Sequence, residues 1–391
     1  MFDKNNNEKV TEKVSFSTKM RNYFLTKKEK LKQLERKDIN EFFINYSLYI
    51  LLFIFIVVVA IMKPRFLSLS SIVNVITQTS FRLPIALGVA GIIVLTGTDL
   101  SAGRIIGLVA VIAASLLQNP DYVDKMYPNL GTVPIILVLL IVIVIGGLIG
   151  LFNGFFVAKF KLHPFIVTLS TQLIVYAMSL QYIKFGTNNG KPIGELRSDF
   201  TNAVTGNMFT IFGVRIQFLV LYALIATIIM WFVWNKTKIG KNMFAVGSNP
   251  EAATVSGISV NKTIMIVFLM AGMLYGLNGF MTSAFVGSNN AATGVNFELD
   301  AIAACVIGGV SFSGGVGKIR GVLLGVFLLQ LITVSFVFLG IDANLQYAIK
   351  GFVILLATAI DMRKYIVRRW QIKKKKRKRN TLLQKVDYMQ I

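Results

Sequence analysis

The 391-residue chain is 54% hydrophobic and only 15% charged, with a mean hydropathy of +0.66, where a soluble domain carries about 25% charged residues. It reads as an all-α polytopic membrane protein. Its net charge of +23 does not call for nucleic acid, because much of the basic excess sits at the two ends, where the positive-inside bias and anionic headgroups account for it. A single Cys305 and a single His163 exclude a disulfide framework and a His- or Cys-based metal centre, and nothing in the composition requires a cofactor.

In chain order, residues 1–46 are a polar, basic extension in which 27–37 has the pattern of a short amphipathic helix. No apolar stretch follows Met1 at signal-peptide distance, so a cytosolic extension is expected rather than a cleaved leader. Residues 47–361 form the transmembrane domain. A hydrocarbon core that takes about 20 helical residues selects about ten spans: 47–62, 84–96, 104–118, 134–157, 164–183, 216–234, 262–284, 298–311, 321–339 and 345–361. An even number places both termini on one side. Inside loops would then hold Lys159, Lys161, Lys236, Lys238, Lys241, Lys318 and Arg320, and outside loops Asp121, Asp124, Glu195, Asp199 and Asp342. That balance and the basic tail 362–391 favour both termini in the cytosol, although Lys63, Arg65 and Arg82 fall outside.

Two spans look short and adjoin glycine-rich polar stretches. One is Thr96-Gly97-Thr98-Asp99-Leu100-Ser101-Ala102-Gly103; the other is Ser311-Phe312-Ser313-Gly314-Gly315-Val316-Gly317. Their correspondence predicts two five-helix halves with discontinuous helices. Gly97, Asp99, Ser101, Gly103, Ser313, Gly314, Gly315 and Gly317 are therefore candidates for the broken helices and the pathway. Asp99 reads first as the cap of a helix beginning near Leu100, close to a membrane edge where water reaches it, and second as a functional intramembrane carboxylate. Asn153-Gly154 reads as a helix end. Gly146, Gly150 and Gly154, and again Gly317, Gly321 and Gly325, have the four-residue spacing that lets helices approach closely in lipid.

The loop 235–261 is a polar, basic island between two spans. Asn249 is a good N-cap, Pro250 suits the first helical position, and Gly257 can end the helix in the left-handed conformation. A helix of about two turns cannot stand alone in water, so it must rest on something. No energy source is visible in the chain: Gly317-Lys318 resembles the end of a phosphate loop, but Phe312 replaces its first glycine and Ile319 its Ser or Thr. The spans show no run of carboxylates and histidines for a proton relay, and no paired carboxylates, activated nucleophile or metal ligands for an enzyme.

Several strings together resemble the sugar-importing ABC permease family, over roughly Ser47 to Tyr365. They include Thr96-Gly-Thr-Asp-Leu-Ser-Ala-Gly-Arg104, His163-Pro-Phe165, Gly247-Ser-Asn-Pro-Glu-Ala-Ala253, Glu298-Leu-Asp-Ala-Ile-Ala-Ala-Cys305 and Ser311-Phe-Ser-Gly-Gly-Val-Gly317. The resemblance implies a homodimeric pore in the bacterial plasma membrane, served by cytosolic ABC ATPase subunits and an extracytoplasmic sugar-binding protein. Glu251, Ala252, Ala253 and Gly257 match the family's coupling-helix motif, with Asn249 and Pro250 leading into it. Within the family the strings are most similar to members for galactose and methyl-galactoside, with ribose or xylose as the alternative substrate and an ion-coupled carrier as the alternative class. The chain would make no covalent bond.

Overall fold

Lipid offers a backbone no hydrogen-bond partner, so a chain of this composition must satisfy its peptide groups within helices. The computed structural model describes residues 50, 52–342, 344–353, 355, 356, 358 and 359. The expected amphipathic helix at 27–37 and both basic tails lie outside the described residues. The apolar helices are α1 (Leu52–Met62), α2 (Leu69–Val94), α3 (Ala102–Leu116), α4 (Ile135–Phe160) and α5 (Pro164–Tyr182). After a short α6 (Ser198–Thr205) and a hairpin β1–β2 (Asn207–Ile211, Val214–Gln217) comes α7 (Leu219–Lys236). Next are α8 (Lys238–Ser248), α9 (Pro250–Val255), α10 (Val260–Val286), α11 (Phe297–Ile307), α12 (Ile319–Leu339) and a last helix, α13, over 344–353. Six of these, α2, α4, α5, α7, α10 and α12, are long and apolar enough to cross a membrane.

Every expected span falls on one of these helices, but the second is displaced. α2 begins at Leu69 rather than at residue 84 and runs 26 residues through Pro84. A mid-helix proline removes one backbone donor and crowds the preceding turn. Here α2 nevertheless stays helical and mostly buried through Pro84, and the Asn278 side chain from α10 donates to the Phe81 carbonyl in the turn before it at 2.6 Å. Arg82 consequently lies in mid-helix and not in an outside loop. Of the two spans expected to be short, the second is so, as α11, 11 residues, while in place of the first it is α3, 15 residues, that is short. At 1.5 Å per residue neither spans a core of about 30 Å.

α4 is apolar all round, so leucine and isoleucine do not mark its inner face; glycine does. Ile136, Leu140, Val144 and Leu148 are exposed, whereas Gly146, Gly150 and Gly154 are buried. A Cβ at Gly146 would collide with the backbone of Gly272 and Gly276, and one at Gly150 with the Phe268 carbonyl and Gly272. The α4–α10 crossing is therefore backbone on backbone, and dispersion contacts hold it where water exclusion contributes nothing. α10 packs also on α3 and α2, and α12 and α7 pack on α2. The two expected halves are thus interleaved about α2 and α10. α4 continues through Asn153 to Phe160, so Asn153-Gly154 is helix interior and not a helix end.

At the end of the bundle remote from α8 and α9, the connecting segments are tied together. Residue pairs Gln118–Leu196 and Ile193–Asn289 form single antiparallel bridges. The Gln118 side chain accepts from the Met126 N–H at 2.8 Å and donates to the Gly194 carbonyl at 3.1 Å.

Candidate functional site

Between α7 and α10 the chain leaves the bundle as two successive helices. Thr237 caps α8, its Oγ1 accepting from the Gly240 N–H at 3.4 Å. Asn249 ends α8 and caps α9, its Oδ1 accepting from the Ala252 N–H at 3.0 Å. Pro250 occupies the first turn of α9, and Gly257 follows at φ +79° while the Ile258 N–H returns to the Ala253 carbonyl at 3.0 Å. Only Ala253 of α9 is buried; Glu251 and Ala252 are exposed, and Val255 is 91% exposed. The loop thus holds two helices where one was expected, and the first anchors the second.

The anchor is a backbone junction. Gly315 N–H donates to the Val94 carbonyl at 2.8 Å, joining the end of α2 to the turn 311–317. The last turn of α8 wedges against both: a Cβ at Gly247 would strike the Val94 carbonyl and the Gly315 nitrogen. Gly314 and Gly315 have φ of +78° and +67° and press on Gly247 and Ser248 respectively. Gly317 packs near Val94 and Trp234, and the Trp234 and Phe244 rings meet edge to face at 5.5 Å. Ser313 donates its N–H to Ser311 Oγ at 3.3 Å within the same turn. A cleft of about 460 Å³ opens beside it, lined by Phe244, Gly308, Gly309, Gly315, Val316, Gly317, Lys318 and Gly321. The second glycine-rich stretch therefore meets the last turn of α8 directly. Displacing α8 must displace the α2 end and this turn together.

The first stretch serves a different place. Gly97 packs against Ile92 and Pro164, where His163 caps α5 by accepting from the Phe165 N–H at 3.3 Å. The chain then turns back inward, and α3 starts only at Ala102. Asp99 stands at the entry to α3, which starts at Ala102 and not at Leu100: its Oδ1 accepts from Ser101 N–H at 2.9 Å and Ser101 Oγ at 2.6 Å in the turn that leads into the helix. Nor does water reach it within this chain, since Asp99 is 1% exposed. Asn153 donates to Ser101 Oγ at 2.9 Å, and Thr171 Oγ1 donates to Asn153 Oδ1 at 2.6 Å. Leu100 N–H is taken by Thr168 Oγ1 at 3.1 Å. Asn153 lies seven residues before the end of α4 at Phe160, about 10 Å along a helix, so the break lies well inside the bundle. Irregular backbone at such depth must be satisfied by protein, and here α4 and α5 do so.

Gly103 brings α3 against the loop before α11 and its first turn. Its missing side chain admits the Gly294 carbonyl and Glu298 Oε2. Glu298, on α11, is 5% exposed, and Tyr275, on α10, is fully buried beside Asp99. Arg104 donates to the Ala291 carbonyl at 3.0 Å and lies 4.1 Å from the Tyr176 ring centroid. A second cluster joins α2, α11 and α13: Arg82 stacks 3.5 Å from the Phe297 centroid, and Lys350 pairs with Asp300 at 3.3 Å. The interior thus holds Asp99, Glu298 and the Lys350–Asp300 pair as well as apolar packing. Among the described residues, no group of three or more His, Cys, Asp or Glu side chains could hold a metal ion.

A helical bundle with interior polar clusters, two half-length helices and a capped helix pair projecting from one end is the build of a membrane transport component. Residues 71–358 match the family described as "Branched-chain amino acid transport system / permease component", and the chain belongs to that family. It is 44% identical over 333 residues to the galactose/methyl galactoside import permease protein of Escherichia coli, covering 85% of this chain and 98% of that one. The Haemophilus influenzae protein of the same name is 42% identical over 319 residues, 82% and 94% of the two chains. The ribose import permease protein of Bacillus subtilis is 32% identical over 313 residues, 80% and 91%. No solved structure matches the chain.

Proposed function

We propose that the chain is the transmembrane permease subunit of a binding-protein-dependent ABC importer for a galactose- or methyl-galactoside-type sugar. The substrate rests on the names of the relatives: 44% identity to a galactose/methyl galactoside permease against 32% to a ribose permease. In this reading the protein works as a homodimer in the bacterial plasma membrane with both termini cytosolic. It receives sugar from an extracytoplasmic binding protein and is driven by two cytosolic ATPase subunits.

The observation that carries the mechanism is the continuity from α9 into the bundle. Glu251, Ala252 and the open Val255 face dock on the ATPase, Ala253 seats α9 on its own protein, and Asn249, Pro250 and Gly257 fix its two ends. Movement passes through α8 to the Gly247–Val94–Gly315 junction, whose backbone contacts cannot give way independently. The α2 end and the turn Ser313–Gly317 then shift together, and the rigid spans rock to open the pathway to either side. Gly97, Asp99, Ser101 and Gly103 hold the inward break of α3 at the pathway wall.

Proteoliposomes containing this chain, its ATPase and its binding protein should take up labelled galactose only with ATP, and ribose at least tenfold more slowly. Uptake driven by an ion gradient without the ATPase would instead establish the carrier reading.

A further inference from the structure

We propose that the β1–β2 hairpin is a membrane anchor whose apolar face rests on the lipid of the leaflet remote from α8 and α9, at the boundary between headgroups and acyl chains. The ribbon is two-faced by register. Phe209 pairs with Ile216 and Ile211 with Val214, which puts four apolar side chains on one side. Thr210 pairs with Arg215 and, beyond the register shift at Met208, Asn207 with Gln217, which puts four polar ones on the other. The Asn207 amide donates to Thr210 Oγ1 at 2.9 Å along that polar side. Ile216 is buried and β2 packs on α2 and α7, so the apolar side faces the bundle. The outer strand overhangs it: Phe209 and Ile211 share the side of Ile216 yet remain 44% and 41% exposed.

The tip is a second observation. Phe212 and Gly213 form a two-residue turn with φ of +46° and +81°, a geometry that favours Asn or Asp before the glycine because a bulky residue is strained there. Phenylalanine occupies it instead, at 94% exposure. A ring both strained and open is unfavourable in water, and a lipid surface offsets the cost of its exposure. The direction of the apolar face fits lipid rather than a protein arriving from solvent. It points toward the bundle, and it leads into the lipid-facing surface of α7, which starts two residues after β2, runs from the hairpin to α8 and leaves Leu224 and Ile225 exposed. A partner arriving from solvent would meet Asn207, Thr210 and Arg215, exposed on the opposite side. Backbone limits the depth. β1 has no second strand neighbour among the described residues, and hydrocarbon does not tolerate an open strand edge, so the ribbon stays where water still reaches its peptide groups. There Arg215 meets phosphate headgroups while the rings sit below it.

The test is electron paramagnetic resonance of the full chain in lipid bilayers, with a nitroxide on Ile211→Cys or on Thr210→Cys and no partner protein added. The wild-type chain gives the labelling background, since Cys305 is fully buried. Oxygen concentrates in lipid and a nickel chelate in water, so the ratio of their relaxation effects should be about threefold or more higher at Ile211 than at Thr210 for a ribbon lying in the interface. Phe209→Cys repeats the measurement on the same face should Ile211→Cys not fold. Equal ratios, or the higher ratio at Thr210, overturn the proposal. A label at Ile211 or Phe209 that stays open to the nickel chelate in bilayers and is shielded only by added sugar-binding protein also overturns it, giving the face to that partner. Dipolar broadening between such labels that is lost on dilution with unlabelled chain overturns it as well, giving the face to a second copy of this chain.

Discussion

At the scale of single residues, the interior is held by side chains that complete broken backbone. Asn278 is the clearest case, because its amide meets the Phe81 carbonyl where Pro84 disturbs α2. Hydrogen bonds between membrane helices contribute about 0.6 to 2 kcal/mol. Asn278→Ala should therefore lower the thermal unfolding midpoint of the purified protein modestly, and Asn278→Leu should lower it more by also overpacking a fully buried position. At the end of the bundle remote from α8 and α9, Arg197 donates to the Val133 carbonyl at 2.8 Å and forms an ion pair with Asp199, holding that carboxyl below the usual carboxylate range. A depressed value means that the pair's contribution is present at neutral pH and disappears as pH falls through the Asp199 titration. Asp199→Asn should cost less than about 1 kcal/mol at neutral pH, and its stability difference from the wild type should vanish in acid. Asp99 was legible in the sequence because it stood alone beside an apolar run. The depth of Arg82 and Glu298 was not: a proline two residues after Arg82 reads as a boundary, and Glu298 stands at the first residue of the expected span 298–311. Neither spacing nor composition reveals that Asn278 reaches the Phe81 carbonyl of α2 or that Gly103 makes room for the glutamate.

Among elements, the α4–α10 crossing and the α8–α9 pair are the two that matter most. The first was half visible, since Gly146, Gly150 and Gly154 mark one face of α4, while the matching Gly272 and Gly276 on α10 can be paired with them only in three dimensions. Gly150→Val should force the helices apart at a cost of about 1 to 3 kcal/mol or more and increase proteolysis of membrane-embedded protein. Gly131→Ala, at a glycine with open space around it, should leave proteolysis unchanged. In the second element, the Asn-Pro start and Gly stop of α9 were readable because capping chemistry is local. α8 escaped notice because Lys238-Ile-Gly-Lys-Asn looks like a loop; its helix depends on Met243, Val246 and Gly247 being buried against the bundle, which is a tertiary effect overriding weak propensity.

For the whole molecule, the order of the apolar stretches followed from hydropathy, whereas only six of the helices that carry them are long and apolar enough to cross a membrane. The interleaving of the two halves about α2 and α10 did not, because pattern along one chain says nothing of which helix lies beside which. The account rests on one claim at this scale: α9 is the point where another subunit's movement enters the bundle through α8 and the Gly247–Val94–Gly315 junction. The most direct test is to place Glu251→Lys in the otherwise complete assembly and measure sugar uptake and ATP hydrolysis together in proteoliposomes. The account predicts normal membrane insertion with uptake reduced at least tenfold, either because the ATPase no longer copurifies or because its hydrolysis continues without transport. Wild-type uptake by that variant, with the ATPase bound and coupled, would contradict it.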